Sequence, residues 1–234
     1  MLASALADLI ARHPNDDKTV LSLAREGDDP LLAQLNATVT DAAWTPDLMM
    51  RQDVSFFQSI RKSGGAALVM RDQNEVCGYS VAVPAGPDMP PFLGDNAQRI
   101  GLLFGTVVAE PYRSRGWQRT FVKLRLEAFS IFGIHTCQAV VAPANQWSLG
   151  NLLSEGFVVI GYEGQRTGGP RFVVQRGLDP LPGGSDEVTV LPLPPHGDVS
   201  AHTRLLDSGH MGFAVQHDGQ LGLGYHRAAS EANR

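Results

Sequence analysis

The sequence predicts a mixed α/β fold, a sheet flanked by helices with a small C-terminal α/β extension, and two features carry that prediction. From Ile100 to Arg176, apolar stretches of strand length alternate with segments of helical spacing, the order that lays helices on the faces of a sheet. The helical segments stop at glycine, at Gly64-Gly65, Gly133 and Gly156, where a chain leaving a helix commonly turns through a left-handed residue. With 234 residues and 43% hydrophobic content, the chain can bury one sizeable core, or one core and a small appendage.

Leu2, Leu6, Leu9 and Ile10 recur at helical spacing and predict a short amphipathic helix over Met1 to His13. It has neither the basic start nor the continuous apolar stretch of a signal peptide. Pro14-Asn15-Asp16-Asp17 breaks the chain, Thr19 to Ala24 reads as a strand, and Pro30 opens a helix through about Val39. A second helix is expected from Pro46 to Arg61, ended by Gly64-Gly65. Ala66 to Met70 and Val76 to Val83 form a hairpin around Asp72-Gln73-Asn74. Pro84 to Asp95, with four prolines and two glycines, is a loop. Ile100 to Val108 is a buried strand whose two glycines predict a bulge or a close backbone approach.

Trp117 to Phe132 places apolar residues at 117, 121, 124 and 128 on one helix face. Thr136 to Ala142 is a strand, and Asn145 to Glu155 a shorter helix with Leu149, Leu152 and Leu153 inward. Phe157 to Tyr162 and Arg171 to Arg176 are closing strands. Pro180 to Asp186 has linker composition and separates a main domain, residues 1–179, from an extension, residues 180–234. The extension reads as a strand (Val188 to Leu193), a helix (Val199 to Leu206) and two strands around Asp218-Gly219. So short a piece is expected to pack on the core or on a partner subunit, the latter giving a homodimer.

The net charge of −5 argues against a general nucleic-acid or anionic-membrane binder. No apolar run approaches the roughly 20 residues of a membrane span. Cys77 and Cys137 are the only cysteines and suggest neither a disulfide framework nor a metal site, so a reducing cytoplasm is the expected compartment. His196, His202, His210, His217 and His226 crowd the extension, but their spacings fit no standard metal-ligand pattern, and they are expected at surfaces or interfaces. Cys137 is expected as a small core residue.

The segment Glu110 to Val122, Glu-Pro-Tyr-Arg-Ser-Arg-Gly-Trp-Gln-Arg-Thr-Phe-Val, follows a strand and opens a helix. A helix start presents N–H groups that have no acceptor within the helix, its dipole adds about half a positive charge, and Arg113, Arg115 and Arg119 add more. This is an anion site, suited to a pyrophosphate. The alternative for its arginines is a solvated basic surface.

Joined to Asn145-Gln-Trp-Ser-Leu-Gly-Asn-Leu-Leu-Ser-Glu-Gly-Phe157 further on, this segment resembles the GNAT superfamily of CoA-dependent N-acetyltransferases. Arg113, Gly116 and Gln118 stand at the positions of that family's Arg/Gln-x-x-Gly-x-Gly/Ala phosphate loop. Gln118, where the family has a small residue, resembles a bacterial branch whose loop reads Arg-Gly-x-Gly-Leu-Gln-Arg. Asn145, Ser148, Leu152, Gly156 and Phe157 match the second block. Weaker similarity runs from near Thr19 to Leu178 and includes Gly168-Gly169-Pro170-Arg171, and the extension is outside the family pattern.

The resemblance implies a splayed central sheet and acetyl-CoA, or another acyl-CoA, as co-substrate, with no metal. It implies that backbone groups of Val107 and Val108 bind the pantetheine arm. The loop of Arg113, Ser114, Arg115, Gly116, Trp117, Gln118 and Arg119 would hold the pyrophosphate, and Asn145 and Ser148 would lie beside the pantetheine. Trp117 can equally be a packing residue, Asn145 can serve as a helix N-cap at the same time, and Ser148 can be a packing or capping residue. An amine would attack the thioester directly, accelerated by alignment and by a strand amide that polarises the carbonyl.

The family's frequent acid, a tyrosine, aligns with Leu152, and no Asp, Glu or His lies between Gly101 and Thr106 to act as its frequent base. No residue is therefore assigned to catalysis. A water relay, Asp88 or Asp95 from the long loop, or an amine that arrives deprotonated remain open. The expected function is acetyl transfer to a primary amine of a small molecule, without nucleic-acid or membrane partners. Its rival is a catalytically degenerate acyl-CoA sensor.

Overall fold

The structure is a computed structural model that describes residues 1–13, 19–43, 48–94, 99–164, 169–177, 188–193, 199–217 and 220–227. The break at Pro14–Asp17, Asp95, Gly168, the 180–186 linker, His196 and the Asp218-Gly219 turn lie outside them. The chain divides into two compact units, Met1–Cys137 and Gln138–Arg234.

In the first unit, β-strands β1 (Thr19–Leu23), β2 (Ala66–Asp72), β3 (Glu75–Pro84) and β4 (Ile100–Val108) pair antiparallel in that order. Successive side chains of a strand point to opposite faces, so each face of β3 and β4 meets its own helices. Tyr79 looks toward α2 (Asp29–Asp41) and α3 (Val54–Lys62), its ring 5.3 Å from that of Phe57 and its hydroxyl bonded to Asn36. The opposite face meets α4 (Trp117–Ile131), so closely that a Cβ on Gly101 would come within 2.7 Å of the Phe129 ring. Helix α1 (Leu2–Arg12) buries Leu2, Ala5, Leu6 and Leu9 against α4 and β1. Both glycines of β4 thus serve the purposes their sequence positions suggested: Gly101 admits Phe129, and Gly105 is the extra residue of a bulge, since Ser80 pairs with Thr106 and Val81 with Phe104.

Helix α3 departs from expectation. It starts at Val54 rather than near Pro46, because the Asp53 carboxylate caps it by accepting from the Phe56 amide at 3.0 Å, while residues 48–53 are irregular. Arg61 of α3 forms a two-pronged ion pair with the buried Asp29 of α2. In the long loop, Gly86 and Met89 form an isolated bridge and Phe92 is buried.

In the second unit, β5 (Thr136–Val141), of which all but the first two residues belong here, β6 (Val158–Glu163), β7 (Arg171–Arg176), β8 (Thr189–Pro192), β9 (His210–His217) and β10 (Gln220–Arg227) lie in the order β5-β7-β6-β9-β10-β8. Helices α5 (Gln146–Ser154) and α6 (Ser200–Asp207) complete it. Val159 of β6 pairs with Gly212 of β9, where a Cβ would meet Val159 at 3.2 Å, so the strands after the linker extend the sheet that holds β6 and β7.

His202 on α6 corrects the expectation of surface histidines. It is 3% exposed, with Nε2 3.0 Å from the Pro192 carbonyl and Nδ1 2.8 Å from the Tyr225 hydroxyl. A carbonyl can only accept, so Nε2 carries the proton there and links α6 to β8. Among the described residues, no helix is long and apolar enough to cross a membrane.

Candidate functional site

The expected anion loop grows directly out of β4. After Val108, the Ala109 amide still bonds to the Cys77 carbonyl at 2.8 Å, and a single 3-10 turn over Glu110–Tyr112 then swings the chain out of the sheet. The Tyr112 hydroxyl donates to Asp72 Oδ2 at 2.7 Å, which anchors this turn to the β2–β3 hairpin; that hydrogen bond pushes the phenol pKa up to about 12. From Arg113 to Gly116 the backbone φ alternates in sign, with Ser114 at +62° and Gly116 at +81°. Alternation of this kind turns successive N–H groups toward one concavity, the geometry of an anion nest. Gly116 is the N-cap of α4, and the first amide to bond back within the helix is that of Thr120, to the Gly116 carbonyl at 3.0 Å. No atom lies within 4 Å of where a Gly116 Cβ would be, so the cradle opens at that residue.

Arg113, Ser114, Arg115, Gly116 and Arg119 are exposed around the cradle. Two of the arginines also stiffen it: Arg113 Nε donates to the Val108 carbonyl at 3.0 Å, and Arg115 donates to the Pro111 carbonyl at 3.0 Å while lying over the Tyr112 ring. Val107 is buried, Val108 and Gln118 are half-buried, and the Trp117 indole is 8% exposed in the core, so Trp117 can contribute only its backbone to the loop.

In the second unit, Asn145 caps α5, its Oδ1 accepting from the Ser148 amide at 3.1 Å. Among the described residues, none accepts from Asn145 Nδ2, so the cap leaves a donor in place. Leu152 is buried at 5% exposure, and Gly156 closes the helix at φ +83°. Trp147, in the first turn of α5, is 76% exposed.

The middle of β4 holds what the sequence reading missed. On one face of the bulge stands Arg125 of α4, only 2% exposed. Its Nη1 bridges the two carbonyls that flank the bulge, Val81 at 3.0 Å and Phe104 at 3.1 Å, and Nη2 donates to Thr106 Oγ1, itself 2.8 Å from Ser80 Oγ. Burial lowers the Arg125 pKa to about 9, which leaves the guanidinium charged at neutral pH. On the other face, the Gln52 carboxamide lies so close that a Cβ at Gly105 would sit 2.5–2.9 Å from it. Phe56, Phe92 and Phe104 form an aromatic cluster on this side, with ring centroids 5.8 Å (Phe56–Phe104) and 5.3 Å (Phe92–Phe104) apart. The sequence held one signal for this arrangement: Arg125 is a charge set four residues after Phe121, beside the apolar stripe of α4.

Neither a protein-family model nor a curated protein sequence matches the chain. Solved structures do resemble it. An acetyltransferase of the GNAT family from Streptococcus pneumoniae superposes with a TM-score of 0.52 at 16% identity, covering 69% of this chain and 100% of that one. A ribosomal-protein-alanine N-acetyltransferase from Brucella melitensis gives 0.50 at 23% identity, covering 68% and 99%. A spermidine N-acetyltransferase from Vibrio cholerae, in complex with CoA and spermine, gives 0.50 at 15% identity, covering 70% and 97%. The chain has the GNAT fold.

Proposed function

We propose that this protein is an acyl-CoA-dependent N-acyltransferase that moves an acetyl group from acetyl-CoA to a primary amine of a small molecule, with the cytoplasm as its setting. One observation carries the reading: the open nest from Arg113 to Gly116, rimmed by three arginines and set at the N-terminus of α4, follows directly on a bulged strand. The residues present fit CoA. A pyrophosphate needs converging N–H donors and positive charge, and the turn and helix start supply both. Backbone groups of Val107 and Val108 would meet the pantetheine amides. The resemblance to solved acetyltransferases, one of them holding CoA and spermine, agrees with this assignment.

Acyl-CoA supplies an activated thioester, and the protein's task is to hold it and the amine in line. The amine acts as nucleophile in its uncharged form. At the bulge, Gly105 has no partner in the β3–β4 register, and its amide would serve the carbonyl oxygen where charge develops. The test is to incubate the purified protein with acetyl-CoA and a panel of amines and to follow free thiol. Thiol release that depends on one class of amine supports transfer. A second reading, a sensor that binds acyl-CoA without turnover, is favoured by the buried Leu152 in place of an acid. Micromolar binding with no thiol release on a broad panel would select it.

A further inference from the structure

The geometry points to Gln52 as a side-chain hydrogen-bond donor to the acyl carbonyl, paired with the strand amide at Gly105; this assignment rests on the acyl-transfer reading above. It follows from a chain of hydrogen bonds whose direction is fixed at its far end. The Met50 carbonyl can only accept, so the Asn36 atom 3.3 Å from it is the Nδ2 amide. The Gln52 backbone N–H can only donate, and it meets Asn36 Oδ1 at 2.8 Å, which fixes the same orientation independently. Asn36 Nδ2 then donates to the Tyr79 hydroxyl at 2.9 Å, and the single Tyr79 proton goes on to Gln52 Oε1 at 2.7 Å. Oxygen is thereby placed toward Tyr79, and Nε2 becomes the open end of the network.

That open end lies at the bulge. Gln52 is 5% exposed, and its Nε2 is 2.6 Å from the position a Gly105 Cβ would occupy. Among the described residues, none accepts from Nε2, and Thr19 Oγ1 is the one fully buried side-chain polar atom without a partner, so Nε2 reaches space that an acceptor can enter. Two N–H groups facing outward can be satisfied by an oxygen and never by an ammonium. Gly105, which has no partner in the β3–β4 register, would contribute its backbone N–H beside them. Two preorganised donors of this kind fit a carbonyl oxygen that gains negative charge. When the amine nitrogen bonds to the thioester carbon, the carbonyl electrons shift onto that oxygen. They return as the C–S bond breaks; the amine's extra proton leaves to solvent and the thiolate takes one up. Nothing in the pair need titrate. A glycine is required at 105 because any Cβ there would displace the Gln52 amide.

The experiment uses the full chain, the variants Gln52→Met, which keeps the bulk and removes both donors, and Gln52→Glu, which keeps an acceptor for Tyr79 and removes the N–H groups. Binding of [1-13C]acetyl-CoA is measured by calorimetry, and the stretching frequency of its labelled carbonyl by infrared difference spectroscopy. The expected result is affinity within about 3-fold of wild type, a carbonyl stretch at higher frequency in both variants, and thiol release down by about 100-fold, the scale seen for loss of one such donor. Bound acetyl-CoA whose carbonyl frequency is the same in wild type and both variants would overturn the Gln52 assignment alone. Absence of acetyl-CoA binding by the wild-type protein would overturn the acyl-transfer reading and this assignment with it.

Discussion

Replacing Arg125 by methionine tests the account of the β4 bulge most directly. The guanidinium makes four hydrogen bonds, to the carbonyls of Phe121, Val81 and Phe104 and to Thr106 Oγ1. Two of these acceptors keep a partner without it. The Phe121 carbonyl is the i−4 acceptor of the helix, and Thr106 Oγ1 retains Ser80. The carbonyls of Val81 and Phe104, which flank the bulge, would be orphaned at about 1–3 kcal/mol each. Against this, methionine removes the desolvation cost of a buried guanidinium, itself several kcal/mol. Together the carbonyls cost about 2–6 kcal/mol and the relief of desolvation returns several, so the expected net loss lies between about zero and 3 kcal/mol, at most roughly 6–12 °C in Tm for a chain of this size. Thermal unfolding followed by circular dichroism measures it, and Arg125→Lys, with one ammonium for two carbonyls, should recover part of the loss. A methionine variant that melts clearly above wild type would refute the argument, because it would mean that the flanking carbonyls find other partners.

Other outcomes follow from the same structure. Gly116→Val forces a β-branched residue to φ +81°, at a strain of about 1–2 kcal/mol or more, and Arg115→Glu reverses charge at the cradle; each should weaken CoA binding at least 10-fold by calorimetry, and unchanged affinity in both would remove CoA from this loop. Burial raises the Asp28 pKa, but the Arg25 amide and the Arg71 guanidinium more than offset it and hold the carboxyl below its ordinary 3.8. The resulting stability is present above that unfolded-state value and is lost as pH falls through the lower folded pKa, so Asp28→Asn should flatten the fall in urea midpoint below about pH 4, an effect of about 1 kcal/mol. On the proposed reading, with no titrating residue from Gly101 to Thr106, kcat/KM should rise with the fraction of uncharged amine, its break moving when the amine is changed. A break fixed at one pH for every amine would instead reveal an enzyme acid or base.

The strands, the α4 helix and the left-handed turn that leads into it were legible because each rests on local chemistry. Gly116 has to be left-handed where the chain enters α4, and Asn145 with Ser148 spells a cap within four residues. Gly101 and Gly105 were readable as close approach or bulge, though not what approaches them. Gln52 was hidden because the apolar residues around it suggested a helix from Pro46, whereas the Asp53 cap ends the irregular stretch just after it. Its partners, Asn36 and Tyr79, are 16 and 27 residues away, a separation that no local pattern encodes. His202 was misjudged for the same reason: its burial depends on Pro192 and Tyr225, which only the β8–β10 pairing brings to α6.

The position of Arg125 on α4 bears on how donor binding and chemistry would be coupled. The helix begins at the cradle and reaches Arg125 eight residues after Trp117, a rise of about 12 Å. On the proposed reading, its first amides hold the pyrophosphate and its guanidinium fixes the bulge that receives the acyl carbonyl. The distance from phosphate to reacting carbon is then set by a rigid helix rather than by loops. A leucine at 125 would pack against β4 without holding the two carbonyls apart, and the bulge could close into a regular ladder. The cost of burying a charge is thus tied to geometry: the same guanidinium that weakens the core by desolvation holds the two carbonyls that flank the bulge. Gln52 lies against Gly105 from the opposite face, so on the proposed reading relaxation on either side would move the two donors apart.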